Sequence, residues 1–127
     1  MSRIAGMAPG GPKAVGPYSH YVVANGFVFV SGMGPMNPAT GQIELGTVAE
    51  QTRLALDNVA TILAAAGSSM DKVCRCGVFL ADMADFPEMN AVYAEYFPEN
   101  PPARTTIAAK ALPAGISVEI DAIAVVD

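Results

Sequence analysis

Three features of this sequence predict an α+β fold, a mixed β-sheet with two helices on one face in the order β-β-α-β-α-β-β. Asn25-Gly26 separates two apolar, β-rich runs, and both residues tolerate positive φ, which marks a hairpin. Two stretches, 48–66 and 86–97, carry apolar residues at helical spacing. Each lies between runs rich in β-branched residues, so each helix connects strands, and both ends of the chain read as hairpins.

Residues 1–13 hold several Gly and Pro and little periodicity, which predicts an irregular N-terminal arm, with Ala14-Val15-Gly16-Pro17-Tyr18 able to order against the body. Ser19–Val23 and Phe27–Ser31 are the first strands. In the second, Phe27, Phe29 and Ser31 share one face and Val28 and Val30 the other, so this strand is expected to be central. Gly32-Met33-Gly34-Pro35 and Asn37-Pro38-Ala39-Thr40-Gly41 predict a loop with a tight turn. Thr47-Val48-Ala49-Glu50 is a capping box, opening a helix that runs to Ala66 before Gly67. Val48, Ala55, Val59, Ile62 and Ala66 form its apolar stripe, widened by Leu56 and Leu63, while Gln51, Arg53, Asp57 and Asn58 supply the polar side. Val73–Leu80 is a strand. Asp85 is placed to cap a second helix with Pro87 and Glu88 in its first turn. Met89, Val92, Tyr93, Tyr96 and Phe97 give that helix its apolar face, and Pro98 stops it. A strand from Thr105 to about Lys110 and a turn at Leu112-Pro113-Ala114-Gly115 lead to a last strand, Ile116–Val126. There Val118, Ile120, Ala122 and Ala124 share one face, and Glu119, Asp121, Ile123 and Val125 the other.

The 127 residues suit a single domain. They are 52% hydrophobic and only 15% charged, against roughly 25% charged in an average domain. So few charges on a small chain predict an oligomer with apolar interfaces. A net charge of −5, with the seven Lys and Arg scattered, argues against a nucleic-acid partner. No run has the length of a signal-peptide core or a membrane span, so the cytoplasm is the expected compartment and no membrane partner is expected. Cys74 and Cys76, two apart on one strand, sit at a spacing unsuited to a disulfide, and His20 is the only His available to a metal. Two buried thiols and no metal site are expected. His20 follows Tyr18 at strand spacing and is read as a surface or interface residue.

The candidate chemistry starts at Pro101-Pro102-Ala103-Arg104-Thr105-Thr106-Ile107. The prolines restrict the chain that delivers Arg104, and the β-branched residues after it favour a strand. A guanidinium held this way is a two-pronged receptor for a carboxylate or phosphate, although an isolated Arg at a strand start is as readily a surface charge. Arg104 begins one strand and Glu119 lies on the next, across a short turn, a topology that permits close approach. A cation that fixes an anionic substrate beside a carboxylate that activates water would make a hydrolytic pair. An ion pair at an interface is the equally weighted alternative.

Several motifs, in order from about Ala14 to Val126, resemble the RidA (YjgF) family of reactive-intermediate deaminases. They are Gly16-Pro17-Tyr18, Val30-Ser31-Gly32 with Pro35-Met36-Asn37-Pro38-Ala39-Thr40-Gly41, Gln51-Thr52-Arg53 with Leu56-Asp57-Asn58, Asp85-Phe86 with Met89-Asn90, Pro102-Ala103-Arg104, and Val118-Glu119-Ile120-Asp121-Ala122-Ile123-Ala124. The resemblance implies a chorismate-mutase-like fold and a homotrimer with sites between subunits. It implies hydrolysis of 2-imino acids and their 2-enamino tautomers, such as 2-aminoacrylate, to 2-oxo acids and ammonia, without metal or cofactor. Carried over by position, Arg104 would grip the substrate carboxylate, the Thr106 N–H would add a hydrogen bond, and Glu119 would activate water. Tyr18, Ser31, Gly32 and Asn90 would line or order the pocket. Two departures from the family pattern stand out: Thr106 where many relatives carry Cys, and Met33-Gly34 where many carry Gln and a bulky aliphatic residue. A more apolar, looser loop is expected there. The open alternatives are a non-catalytic small-molecule-binding or holdase-like trimer and a catabolic-pathway aminoacrylate deaminase of the same family. A ribonuclease is the reading least suited to the acidic balance.

Overall fold

Thr47 caps the first helix as its spacing predicts. Its side chain accepts the Glu50 N–H at 3.1 Å and the Glu50 carboxylate accepts the Thr47 N–H at 2.8 Å, opening α1 (Val48–Ala65). At the other end Gly67, at φ +85°, closes a Schellman turn: the Ser68 N–H reaches the Leu63 carbonyl and the Gly67 N–H the Ala64 carbonyl. The second helix, α2 (Phe86–Tyr96), starts differently from expectation. Asp85 is already helical and makes no cap. Asp82 instead accepts the Ala84 N–H at 2.9 Å and caps the short turn Met83–Asp85 that leads in. Glu88 turns to α1 and accepts the Ala49 N–H at 2.8 Å, satisfying one of that helix's unpaired first-turn donors.

The computed structural model describes residues 2–127; Met1 lies outside the described residues. The strands are β1 (Ile4–Gly6), β2 (Tyr21–Ala24), β3 (Phe27–Met33), β4 (Val73–Leu80), β5 (Ala103–Ala108) and β6 (Val118–Val125). They form one six-stranded sheet in the order β1-β2-β3-β6-β4-β5, antiparallel except for the parallel β4–β5 pair. Asn25 and Gly26 both take positive φ and close the β2–β3 hairpin. Both helices lie on one face. Leu56, Val59, Ile62 and Leu63 of α1 and Met89 and Tyr93 of α2 share a core with Val28, Val30, Val78, Leu80, Val118, Ile120 and Ala122 of the sheet. The other face carries Phe27, Phe29, Ile107 and Val125, all exposed. Among the described residues no helix is long and apolar enough to cross a membrane.

The observed sheet corrects the expected one in three respects. First, residues 1–13 are not an irregular arm, since Ile4–Gly6 adds a sixth strand against Tyr21–Val23. Three residues are too few to show a period, and their pairing is long-range. Second, the C-terminal strands are not a hairpin. β6 inserts between β3 and β4, and β5 pairs with β4 alone, the parallel arrangement that a helical crossover such as α2 allows. Third, β3 continues to Met33 instead of ending in a loop. A bulge places Ser31 and Gly32 opposite a single β6 position, so Met33 returns to the core at 3% exposure. A second bulge, between Val73 and Arg75, separates the cysteines. Cys76 is buried, and burial pushes its thiol above the ordinary value, whereas Cys74 is exposed.

His20 is buried, not a surface or interface residue. Its Nδ1 accepts the Ala8 N–H at 2.8 Å, which leaves the ring hydrogen on Nε2 for the Pro12 carbonyl at 2.6 Å. This one ring pins the segment 8–12 to the body. Sequence spacing gave no sign of it, because both partners are backbone groups. His20→Ala is expected to orphan a buried donor and acceptor and lower the unfolding free energy by about 2–4 kcal/mol. Equilibrium urea unfolding reads this, and a loss below about 1 kcal/mol would show that the segment is held elsewhere.

Candidate active site

The β3 bulge builds the first half of the site. Ser31, freed from regular pairing, donates its hydroxyl to the Ser19 carbonyl at 2.6 Å, while its N–H reaches the His20 carbonyl. Gly32 has no positive φ, so space and not backbone conformation asks for glycine there. A Cβ at this position would overlap the Glu119 carboxylate, which lies directly over the Gly32 backbone. Glu119 is half-buried. Burial first, and then the charge of Asp121, push its carboxyl above the ordinary range. Asp121 itself accepts the Gly77 N–H at 2.8 Å.

Glu119, Ser31, Gly32 and Tyr18 open onto one cleft of about 600 Å³. Pro12 of the pinned segment and the next residue, Lys13, contribute to its wall. Ala114, which also lines it, holds φ +57°, an uncommon conformation for a residue with a side chain. Two α1 side chains expected on the polar side are buried and support this cleft. Gln51 accepts the Ser117 N–H at 2.8 Å and donates to the Gly46 carbonyl at 3.1 Å. Asn58 donates to the Gly34 and Met36 carbonyls at 3.1 and 2.9 Å. Asn58 thus fixes backbone that lines the cleft, and Gln51 fixes Ser117, the neighbour of the lining residue Ile116. The available signal was their position: Gln51 and Asn58 border the apolar stripe two turns apart, where an amide can serve neighbouring loops.

The second half lies elsewhere. Arg104 stacks over the rings of Tyr93 and Phe86, with its Cζ 4.7 and 5.4 Å from their centroids. It lines a pocket of about 340 Å³ with Asn90, Tyr93, Phe97, Pro101 and Pro102. The α2 residues of this pocket follow helical spacing, and the prolines deliver the strand as expected. Among the described residues Arg104 has no carboxylate partner. Its donors are free for an anion.

Arg104 and Glu119 do not meet within one chain. Paired residues share a sheet face, and Arg104 pairs with the core residue Cys76, whereas Glu119 pairs with Phe79 on the opposite face. The proximity expected from a β5–β6 hairpin fails because β4 lies between those strands. Thr106 stands two residues beyond Arg104, on the same face. Its hydroxyl is buried without a partner among the described residues. The Ala109 N–H bonds to Leu80, and parallel ladders alternate, so the Thr106 N–H points to the free edge of β5. The predicted residues thus fall into two sets: Tyr18, Ser31, Gly32 and Glu119 on one side, Asn90, Arg104 and Thr106 on the other.

A family model described as endoribonuclease L-PSP matches residues 9–126. The chain belongs to the RidA/YjgF family. It is 47% identical to a RutC family protein of Pyrococcus horikoshii, covering 89% of this chain and 90% of that one. It is 46% identical to a 2-iminobutanoate/2-iminopropanoate deaminase of Bos taurus, over 90% of this chain and 83% of that one. The solved structure of E. coli TdcF with bound serine shares the fold at a TM-score of 0.89 and 36% identity, covering 95% of this chain and 98% of that one. Within this RidA/YjgF chain, Met33 does not loosen the loop. It ends β3 in register with Ile120, and the looseness expected of Met33-Gly34 is replaced by the two Asn58 hydrogen bonds.

Proposed function

We propose that this protein hydrolyses 2-imino acids and their 2-enamino tautomers to 2-oxo acids and ammonia, at a site completed when copies of the chain assemble into a homotrimer. The observation that carries the reading is the separation just described. An unpartnered, aromatic-backed guanidinium at a sheet edge and a half-buried carboxylate in a cleft are complementary, yet one chain cannot bring them together. A second copy resolves this. Arg104 of the partner subunit takes the substrate carboxylate bidentately, with the Thr106 N–H beside it, and leaves the C=N carbon at Glu119.

The chemistry then balances with one proton-transfer group. With the imine nitrogen protonated (C=NH2+), Glu119 takes a proton from water as the water oxygen bonds to the imine carbon, and the C=N electron pair moves to nitrogen to leave a neutral amine. Returned to nitrogen, the proton taken by Glu119 makes ammonia the leaving group. The C–N bond breaks as the carbinol oxygen forms C=O and releases its own proton. A carboxylate pushed above its ordinary range suits both directions of that transfer. The deaminase name of the bovine relative and the serine in TdcF support a small amino-acid-like ligand, and a net charge of −5 favours it over RNA.

The test is release of 2-oxo acid from imines generated in situ by an amino-acid oxidase, followed against pH. Glu119 must be ionised to act as base, so kcat/KM is expected to fall as pH drops through its raised pKa, on a limb above the ordinary carboxylate range. Asp121→Asn, which removes the second cause of the shift, is expected to move that limb down in pH. Wild-type protein that never exceeds the buffer rate would overturn the reading.

A further inference from the structure

Beyond the reacting groups, the Glu119 cleft continues along a wall formed by Gly34, Met36, Ile43 and Ile116. We infer that this wall is a side-chain subsite selecting 2-imino acids whose substituent is apolar and several carbons long; the inference rests on the deaminase reading and names its substrate class. Gly34 is the central observation. Its φ is not positive, so nothing in the backbone calls for glycine. What glycine provides is room for Ile116 to lie against the backbone, since a Cβ there would stand 2.8 Å from its Cδ1 and displace that side chain's flexible end. The wall is also stripped of polar groups. The Gly34 and Met36 carbonyls each already accept a hydrogen bond from Asn58. The cleft's charged side chains are Glu119 and Lys13, whereas Gly34, Met36, Ile43 and Ile116 bring no charge or side-chain hydrogen-bonding group. A hydrophilic substituent would lose water there and gain no partner. With the carboxylate drawn outward to the partner's Arg104 and the C=N carbon at Glu119, the third substituent of that carbon is left to run along the wall.

The experiment compares the imines of alanine and leucine, generated by an amino-acid oxidase, with wild type, Gly34→Ala and Gly34→Leu. Wild type is expected to favour the leucine-derived imine by about tenfold or more in kcat/KM, the scale on which apolar pockets discriminate added carbons. Gly34→Ala should reduce that ratio and Gly34→Leu bring it near one, mainly by raising KM for the larger substrate. A wild-type ratio near one, or Gly34 variants that slow both imines in parallel, would overturn the subsite. Binding reads the subsite separately from turnover. Isothermal calorimetry with pyruvate and 4-methyl-2-oxopentanoate should show the same preference and its loss in Gly34→Leu. An inert wild type that still prefers the larger oxo acid would overturn the deaminase reading and keep the subsite; equal affinities would overturn the subsite alone.

Discussion

Glu119→Gln is expected to lower kcat for 2-iminopropanoate hydrolysis by about two to four orders of magnitude, the usual contribution of a positioned general base. Affinity for pyruvate should change only a few-fold. The amide keeps the size of the side chain over the Gly32 backbone, where no Cβ could stand without overlapping it. It cannot accept the water proton. The pair of measurements separates the two classes of function open to this fold. A binding or holdase-like protein uses the cleft for affinity and has no turnover to lose. A deaminase loses turnover while the cleft still fills. Turnover retained within tenfold would remove Glu119 from the chemistry, and the acid limb of the pH profile should disappear with the carboxylate that produces it.

The candidate residues were chosen from the sequence; the way the sheet partitions them was not legible there. Arg104 was marked by its proline lead-in and Glu119 by its place opposite a run of core residues, both local features. Whether they face each other depends on strand order, and β6 crossing to lie between β3 and β4 is long-range information. The same division holds for the fold. Thr47 and Glu50 capping α1, Asn25-Gly26 turning the hairpin and Val73–Leu80 as a strand are short-range facts, and each stands. Other misses involve a single residue acting at a distance or a one-residue change of register. His20 bonds to backbone at Ala8 and Pro12, and Asn58 reaches carbonyls more than twenty positions away. Bulges at Ser31-Gly32 and after Val73 invert the alternation that strand reading relies on. The first bulge is also what exposes Ser31 and Gly32 to the cleft, so the departure from regular pairing and the candidate chemistry share one cause.

Arg104→Ala is expected to cost about 10²–10³-fold in kcat/KM, since in the proposed site it removes a charge-assisted, two-pronged carboxylate contact that no other residue lining its pocket could supply. The decisive version mixes two inert proteins. If each site takes Arg104 from one copy and Glu119 from its neighbour, Arg104→Ala and Glu119→Gln subunits complement each other. Co-assembled at equal ratio, a cyclic oligomer pairs an intact Arg104 with an intact Glu119 at about one interface in four, so about a quarter of wild-type activity should return. The same solutions mixed without subunit exchange should stay inert. Recovery cannot arise inside one chain, because every mutant chain lacks one of the two groups. It cannot be credited to free flexibility either, since Arg104 is stacked on Tyr93 at 4.7 Å on the core side of the sheet, while Glu119 lies on the opposite face. A co-assembled mixture that stays inert would therefore sink the shared site itself, because the sheet leaves no route by which one chain's guanidinium and carboxylate reach the same substrate.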